Sequence, residues 1–168
     1  MIRRFKDVTP SVDATVYIDD SAQVIGDVVI GPESSVWMNV VIRGDVNRIR
    51  IGRRTNIQDL TMVHVMREAH PTLIGDEVTI GHSAVVHGAT IEDRVLIGMA
   101  AVLLNGVHVG HDSIVAAGTL VAEGTRIPPR SLVMGRPAKV RRELTDAEVA
   151  EIRGYADNYV RYRLDYQS

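Results

Sequence analysis

Aliphatic residues recur at every sixth position along most of this chain, a spacing that no α-helix face can produce, because a helix face returns near every 3.6 residues. The series runs Val12, Ile18, Val24, Ile30, Val36, Ile42, then Ile51, Ile57, Val63, then Ile74, Ile80, Val86, and finally Ile91, Ile97, Leu103, Val109, Val115, Val121, Ile127, Val133. Such a period, sustained over twenty hexads, is the signature of a solenoid. Three hexads close one triangular coil with its aliphatic residues pointing inward. The expected fold is therefore an all-β parallel β-helix of about seven coils, stacked at strand spacing of about 4.8 Å. Composition agrees: Val and Ile supply 40 of 168 residues while Phe and Trp supply one each, which suits a narrow β core. Glycine often follows the aliphatic residue, as in Ile30-Gly31, Ile51-Gly52, Ile80-Gly81 and Ile97-Gly98, where a turn is expected to need backbone freedom.

The hexad phase breaks three times: three extra residues between Ile42 and Ile51, five extra between Val63 and Ile74, and one missing between Val86 and Ile91. Insertions in a solenoid are expected to leave it as loops at corners, and the longest, around Met66–Thr72, is polar and contains Pro71. After Val133 the repeat stops at Gly135-Arg136-Pro137, which sets the solenoid at residues 1–137 and leaves 138–168 as a linker and a helix. Thr145-Asp146-Ala147-Glu148 reads as a capping box opening that helix. Val149, Ile152, Ala156 and Tyr159 then keep helical spacing and should pack on the solenoid flank, with Tyr155, Tyr159, Tyr162 and Tyr166 forming a second row.

A net charge of −2 without a long basic run argues against nucleic acid as a partner. The absence of cysteine excludes disulfides and thiolate ligands, so any metal must be held by His, Asp or Glu. No apolar stretch reaches the length of a signal peptide or a bilayer span, so the expected location is cytoplasmic with no membrane association.

The histidines carry the chemistry. Arg43, His64 and His87 each follow an aliphatic corner and fall three hexads apart once the inserted residues are removed, so they should stack in one column. Side chains on adjacent rungs lie about 5 Å apart, close enough for two imidazoles to share one ion. His82 occupies a different slot, two after Ile80, on the preceding face of the same coil as His87. A rotationally symmetric homotrimer would bring His82 of one subunit toward His64 and His87 of the next. Three neutral imidazoles with an open position suit a catalytic ion, which activates water toward carbon dioxide or a thioester. Asp59 shares the slot of His82 one coil earlier and, like Asp45, could orient a histidine or pair with Arg43. His70, His108 and His111 are read as surface residues.

The segments Val41-Ile42-Arg43-Gly44-Asp45, Asn56-Ile57-Gln58-Asp59, Met62-Val63-His64-Val65 and Ile80-Gly81-His82-Ser83-Ala84-Val85-Val86-His87-Gly88 resemble the γ-class carbonic anhydrase family. The resemblance covers about residues 1–140 and is carried by the paired histidine segments, since the hexad alone is shared with acyltransferases. It implies a left-handed coil, a homotrimer and an interfacial zinc, with iron or cobalt as alternatives. It implies reversible hydration of carbon dioxide, His64 and His87 acting from one subunit and His82 from its neighbour. It further implies that Arg43 and Asp45 hold the interface, that Gln58 contacts the reacting water, that Asp59 supports the site and that Tyr159 or Tyr162 stands at its edge. The sequence departs from the family pattern at Val46, where defining members carry a glutamate that moves protons. The competing readings are a metal-dependent acyl-CoA thioesterase, a non-catalytic metal-stabilised trimeric scaffold and an acyltransferase using His108 or His111.

Overall fold

In the computed structural model, which describes residues 1–167, Leu96 pairs with Ile114 and Ile114 with Leu132, eighteen residues apart each time. Three hexads therefore make one full coil, and the chain is a left-handed parallel β-helix of about seven coils followed by one helix. Its first face stacks Tyr17–Ile18, Ser35–Val36, Asn56–Ile57, Thr79–Ile80, Leu96–Ile97, Ile114–Val115 and Ser131–Met134 in that order. The second and third faces are joined into one sheet because the long strands Gln23–Ile30 and Val41–Ile51 run around the corner between them. Met62–His64, Val85–His87, Val102–Leu103 and Leu120–Val121 continue the second face, and Thr72–Ile74, Thr90–Ile91, His108–Val109 and Arg126–Ile127 the third.

The hexad aliphatics fill the prism. Ile42, Ile57, Val63, Ile80, Val86, Ile97 and Leu103 have no solvent exposure and belong to one continuous core. Each such side chain contributes about 1.5–3 kcal/mol by leaving water, which offsets the entropy of ordering its coil.

Glycine after the aliphatic residue serves a different purpose from the one expected. Gly31, Gly52, Gly75, Gly81, Gly98 and Gly110 are absent from the left-handed region, which is instead occupied two residues later by Glu33, Arg54, Ser83, Ala100, Asp112 and others. Their role is steric, because a Cβ on Gly98 would lie 2.4 Å from the backbone nitrogen of Ala117, and one on Gly31 would lie 2.8 Å from the carbonyl carbon of Gly52. The next coil passes too close for any side chain.

All three phase breaks fall at the corner between the second and third faces. The three extra residues do not form a separate loop: pairing passes from Gly26 with Gly44 to Val28 with Ile49, so the insertion is absorbed as an irregularity within a continuous strand. The five extra residues do project, with Met66–Ala69 exposed and the Met66 amide donating to the His70 carbonyl at 2.9 Å. Asn47 Nδ2 donates to the Met66 carbonyl at 3.0 Å, so the two insertions stack on one another.

Where the hexads stop, the last coil has an open edge. Strand Lys139–Glu143 covers part of it by pairing antiparallel with Ser131–Met134, an element within the stretch read from sequence as a linker. Its charged residues discourage further edge pairing. The capping box is present: Glu148 N donates to Thr145 Oγ1 at 3.3 Å, and Thr145 N donates to Glu148 Oε2 at 2.9 Å, opening helix Asp146–Gln167. Val149 and Ile152 pack on Leu96, Ile114 and Leu132 of the first face. Farther along, Tyr159 and Tyr166 meet Trp37 edge-on at 5.3 and 5.1 Å between ring centroids. Arg163, unforeseen as a buried residue, donates to the Thr15 carbonyl at 2.9 Å. No helix among the described residues is long and apolar enough to cross a membrane.

Candidate metal centre

The second face brings His64 and His87 into direct register, one above the other on adjacent rungs. Their rings meet edge-on at 5.0 Å, with His64 Nδ1 and His87 Nε2 3.1 Å apart. Each ring is held from behind. His64 Nε2 lies 2.9 Å from Asp45 Oδ1, and His87 Nδ1 lies 2.7 Å from Asn105 Oδ1. Asp45 is placed by the insertion that carries Gly44–Arg48 around the disturbed corner, and Arg43 pairs with its other oxygen within the same chain.

An ionised carboxylate only accepts hydrogen bonds, so His64 carries its proton on Nε2. Burial opposes ionisation of Asp45, but hydrogen bonds from His64 and Arg43, reinforced by the Arg43 charge, outweigh it and hold the carboxyl below its ordinary range. Burial is also the largest influence on His64, pushing its pKa down, and the Arg43 and His87 charges add to it against Asp45. Near neutral pH the neutral form of His64 is therefore favoured, with the lone pair of Nδ1 directed at His87.

His82 stands at the corner between the first and second faces, away from this pair. Its Nδ1 is 2.6 Å from Asp59 Oδ2, which leaves Nε2 without a partner among the described residues. Within one chain, no three His, Asp or Glu side chains converge as a ligand set among the described residues. Gln58, 6% exposed, donates from Nε2 to Asn56 Oδ1 at 3.1 Å, and Asn56 donates to Thr79 Oγ1 at 2.9 Å. Arg43, Asp45, His64 and His87 are thus brought together in one group, and Gln58, Asp59 and His82 lie near one another in a second.

A cleft of about 400 Å³ adjoins that second group, bounded by Gln58 and His82, by Met99 and Ala117, and by Tyr155 and Tyr159 of the helix. Burial, then the nearby charge of Asp59 and the neighbouring Tyr162, pushes Tyr159 up to about 12, so its hydroxyl stays protonated near neutral pH. Val46 packs against the core and offers no proton-transferring group. Of the surface histidines, His108 lies 3.0 Å from Glu92 and His111 lies 2.8 Å from Asp112.

Sequence reasoning missed Asn105 and Glu123. Asn105 lies eighteen residues after His87, yet the missing residue between Val86 and Ile91 shifts the phase, so counting hexads places it two after Leu103 and out of the histidine column.

The fold defines a hexapeptide-repeat protein, and the family model for the hexapeptide repeat of succinyl-transferase matches residues 71–99 and 88–122. Over 95% of its length the chain is 43% identical to a carbonic anhydrase of Geobacillus kaustophilus, covering 87% of that protein. It is 52% identical over 92% of its length to γ carbonic anhydrase 2, mitochondrial, of Arabidopsis thaliana, and spans 57% of that longer protein. A solved hexapeptide transferase family protein from Anaplasma phagocytophilum superimposes with a TM-score of 0.94 at 38% identity, covering 98% of this chain and 97% of that one. The chain belongs to the γ-class carbonic anhydrase-like family of hexapeptide-repeat proteins.

Proposed function

We propose that this protein is a metal-dependent carbonic anhydrase, with one divalent ion held by His64 and His87 of one subunit and His82 of the next around a homotrimer. The observation that carries the metal site is the pair of nitrogens facing one another at 3.1 Å. Asp45 takes the proton-bearing nitrogen of His64, and Asn105 offers an acceptor to the outer nitrogen of His87, so two lone pairs point at each other. Facing lone pairs repel, so the arrangement draws a cation between them, a metal ion or, in its absence, a shared proton. The separation is near the roughly 3.4 Å expected for two imidazole ligands on a tetrahedral ion with bonds of about 2.1 Å. Zinc fits an all-imidazole set with an open position, and iron or cobalt also accepts it.

The trimer is supported by the incompleteness of the site in one chain. It is also supported by the outward positions of the second face, Val41, Met62, Val85, Val102 and Leu120, which form an apolar stripe between the two half-sites, with Met62 46% exposed. When bound, the metal supplies Lewis-acid activation of water for attack on carbon dioxide. Asp45, Asn105 and Asp59 fix the three imidazoles, and Gln58 Oε1, without a partner among the described residues, is available to accept a hydrogen bond at the reacting centre. His64 and Arg43 together favour the ionised form of Asp45.

The test is elemental analysis of protein purified without chelator, with His64→Ala, His82→Ala and His87→Ala. About one zinc or iron per subunit, lost in every variant together with carbon dioxide hydration, is expected. Hydration unaffected by His87→Ala, or wild-type protein that cannot be loaded, refutes the reading. A second reading, hydrolysis of an acyl thioester at the same site, is favoured by the apolar cleft, far larger than carbon dioxide requires. Release of free thiol from acyl-CoA by the loaded protein separates it from hydration, and loaded protein inactive in both assays points to a scaffold.

A further inference from the structure

The least explained polar column in the molecule runs away from the candidate metal centre. His87 Nδ1 is 2.7 Å from Asn105 Oδ1, and Asn105 Nδ2 donates to Glu123 Oε1 at 2.8 Å. Asn105 and Glu123 are eighteen residues apart, two after Leu103 and two after Val121, so they occupy the same slot on successive coils. Among the described residues neither hydrogen-bonds to His64 or to the group around His82.

An amide side chain is ambiguous by itself. If its oxygen faces an imidazole nitrogen, that nitrogen must carry the proton. If its NH₂ faces the same nitrogen, the nitrogen must present a lone pair. The two orientations fix opposite tautomers of His87. Glu123 removes the ambiguity, because a carboxylate accepts only: the Asn105 NH₂ must turn toward Glu123, and its oxygen must turn toward His87. His87 then holds its proton on Nδ1 and directs the Nε2 lone pair at His64.

We infer that Asn105 and Glu123 form a tautomer lock: Glu123 orients the Asn105 amide, and Asn105 thereby commits His87 Nε2 to the ligand position. Asn105 is a positioning residue, and Glu123 acts through it. The inference rests on the metal-centre reading for its consequence, while the tautomer itself belongs to the metal-free chain. Outer partners of this kind typically change metal affinity about 10- to 100-fold, so Asn105→Ala is expected to weaken zinc binding by that factor. Glu123 is exposed, and losing a single solvent-screened charged contact is expected to cost about two- to fivefold.

The experiment has two arms. Zinc affinity is measured by competition with a chromophoric chelator for wild type, Asn105→Ala, Glu123→Ala and the double variant Asn105→Asp with Glu123→Ala. In the double variant an aspartate at position 105 can only accept, so it needs no orienting partner and should recover affinity lost in Glu123→Ala. A merely structural role for Glu123 would not be rescued in this way. In the second arm, nitrogen-15 spectra of metal-free protein are expected to show a proton-bearing Nδ1 on His87 in wild type, with the opposite tautomer gaining population in Asn105→Ala. Wild-type His87 with no proton on Nδ1, Asn105→Ala binding zinc like wild type, or a double variant no better than Glu123→Ala would each overturn the lock. Wild type that binds no zinc yet shows proton-bearing Nδ1 would uphold the lock and overturn the metal reading instead.

Discussion

Replacing Gly98 by alanine should destabilise the solenoid severely, whereas the same change at Gly118 should be mild, although only Gly118 has a positive φ. At Gly98 the new Cβ would stand 2.4 Å from the Ala117 nitrogen and 2.8 Å from both the Ala116 carbonyl carbon and the Ala117 Cα. These are backbone atoms of the next coil, pinned by ladder pairing on either side, so the coil itself must shift. Overpacking of this kind costs about 1–3 kcal/mol, and the upper end applies because no side chain can rotate away. At about 2–4 °C per kcal/mol for a chain of this size, Gly98→Ala should lower Tm by about 6–12 °C. Gly118, at φ +67°, has nothing within 4 Å of its virtual Cβ, and Ala100 already occupies the equivalent corner at φ +56°. Its cost is the left-handed conformation alone, about 1 kcal/mol or about 2–4 °C. Calorimetry at matched subunit concentration, necessary because assembly shifts Tm, measures both. A loss at Gly118 equal to or larger than that at Gly98 would refute the assignment of these glycines to close approach.

Three further expectations concern the helix. Hydrogen bonds from Arg142, then from the Thr145 backbone, lower Glu148 to about 2, so its contribution to helix docking is present above its ordinary value near 4.5 and fades as pH falls toward 2; Trp37 fluorescence, which reports the packing of Tyr159 and Tyr166, should follow that window in wild type and lose it in Glu148→Gln. Burial raises Tyr17 and Tyr159 to about 12, so stability from their neutral phenols is present below pH 10 and lost as pH climbs toward 12; absorbance at phenolate wavelengths should show two of the five tyrosines ionising last, and one fewer in Tyr159→Phe. Arg163→Ala removes the clamp on the Thr15 carbonyl and should cost about 1–3 kcal/mol, read as an earlier urea midpoint for the Trp37 signal; an unchanged midpoint would show that the clamp contributes nothing to helix docking.

The solenoid was legible because its physics is one-dimensional: Ile57, Ile80 and Ile97 each need the same inward slot, so the period survives in the residues themselves. The stacking of His64 on His87 could be read in the same way once five inserted residues were discounted. What periodicity could not convey was three-dimensional closeness across coils. Glycine after the aliphatic residue suggested a flexible turn, and only the stacked backbones show that the neighbouring coil, not φ, excludes a side chain. Strand Lys139–Glu143 has no hydrophobic alternation because every residue in it is exposed, and its existence depends on the edge left by the last coil. Asn105 escaped because a one-residue deletion altered the frame between it and His87, and Glu123 because it acts through Asn105. Arg163 reads as a solvent-facing helix charge until Thr15 is seen beside it.

The eighteen-residue pitch also makes chain length a quantised variable. Adding or removing one whole coil below Val109 would return every later residue to its own face, lengthening or shortening the prism while leaving His64, His82 and His87 where they are. Adding a single hexad there would turn the rest of the chain by one third of a revolution. Ile127 would then lie on the first face, Val133 on the second, and the helix would leave from the face that carries the histidine column. Tyr159 would lose Trp37, and the cleft beside His82 would lose its wall. Six residues, the unit that builds this fold, thus keep the core in phase while removing the wall of the cleft.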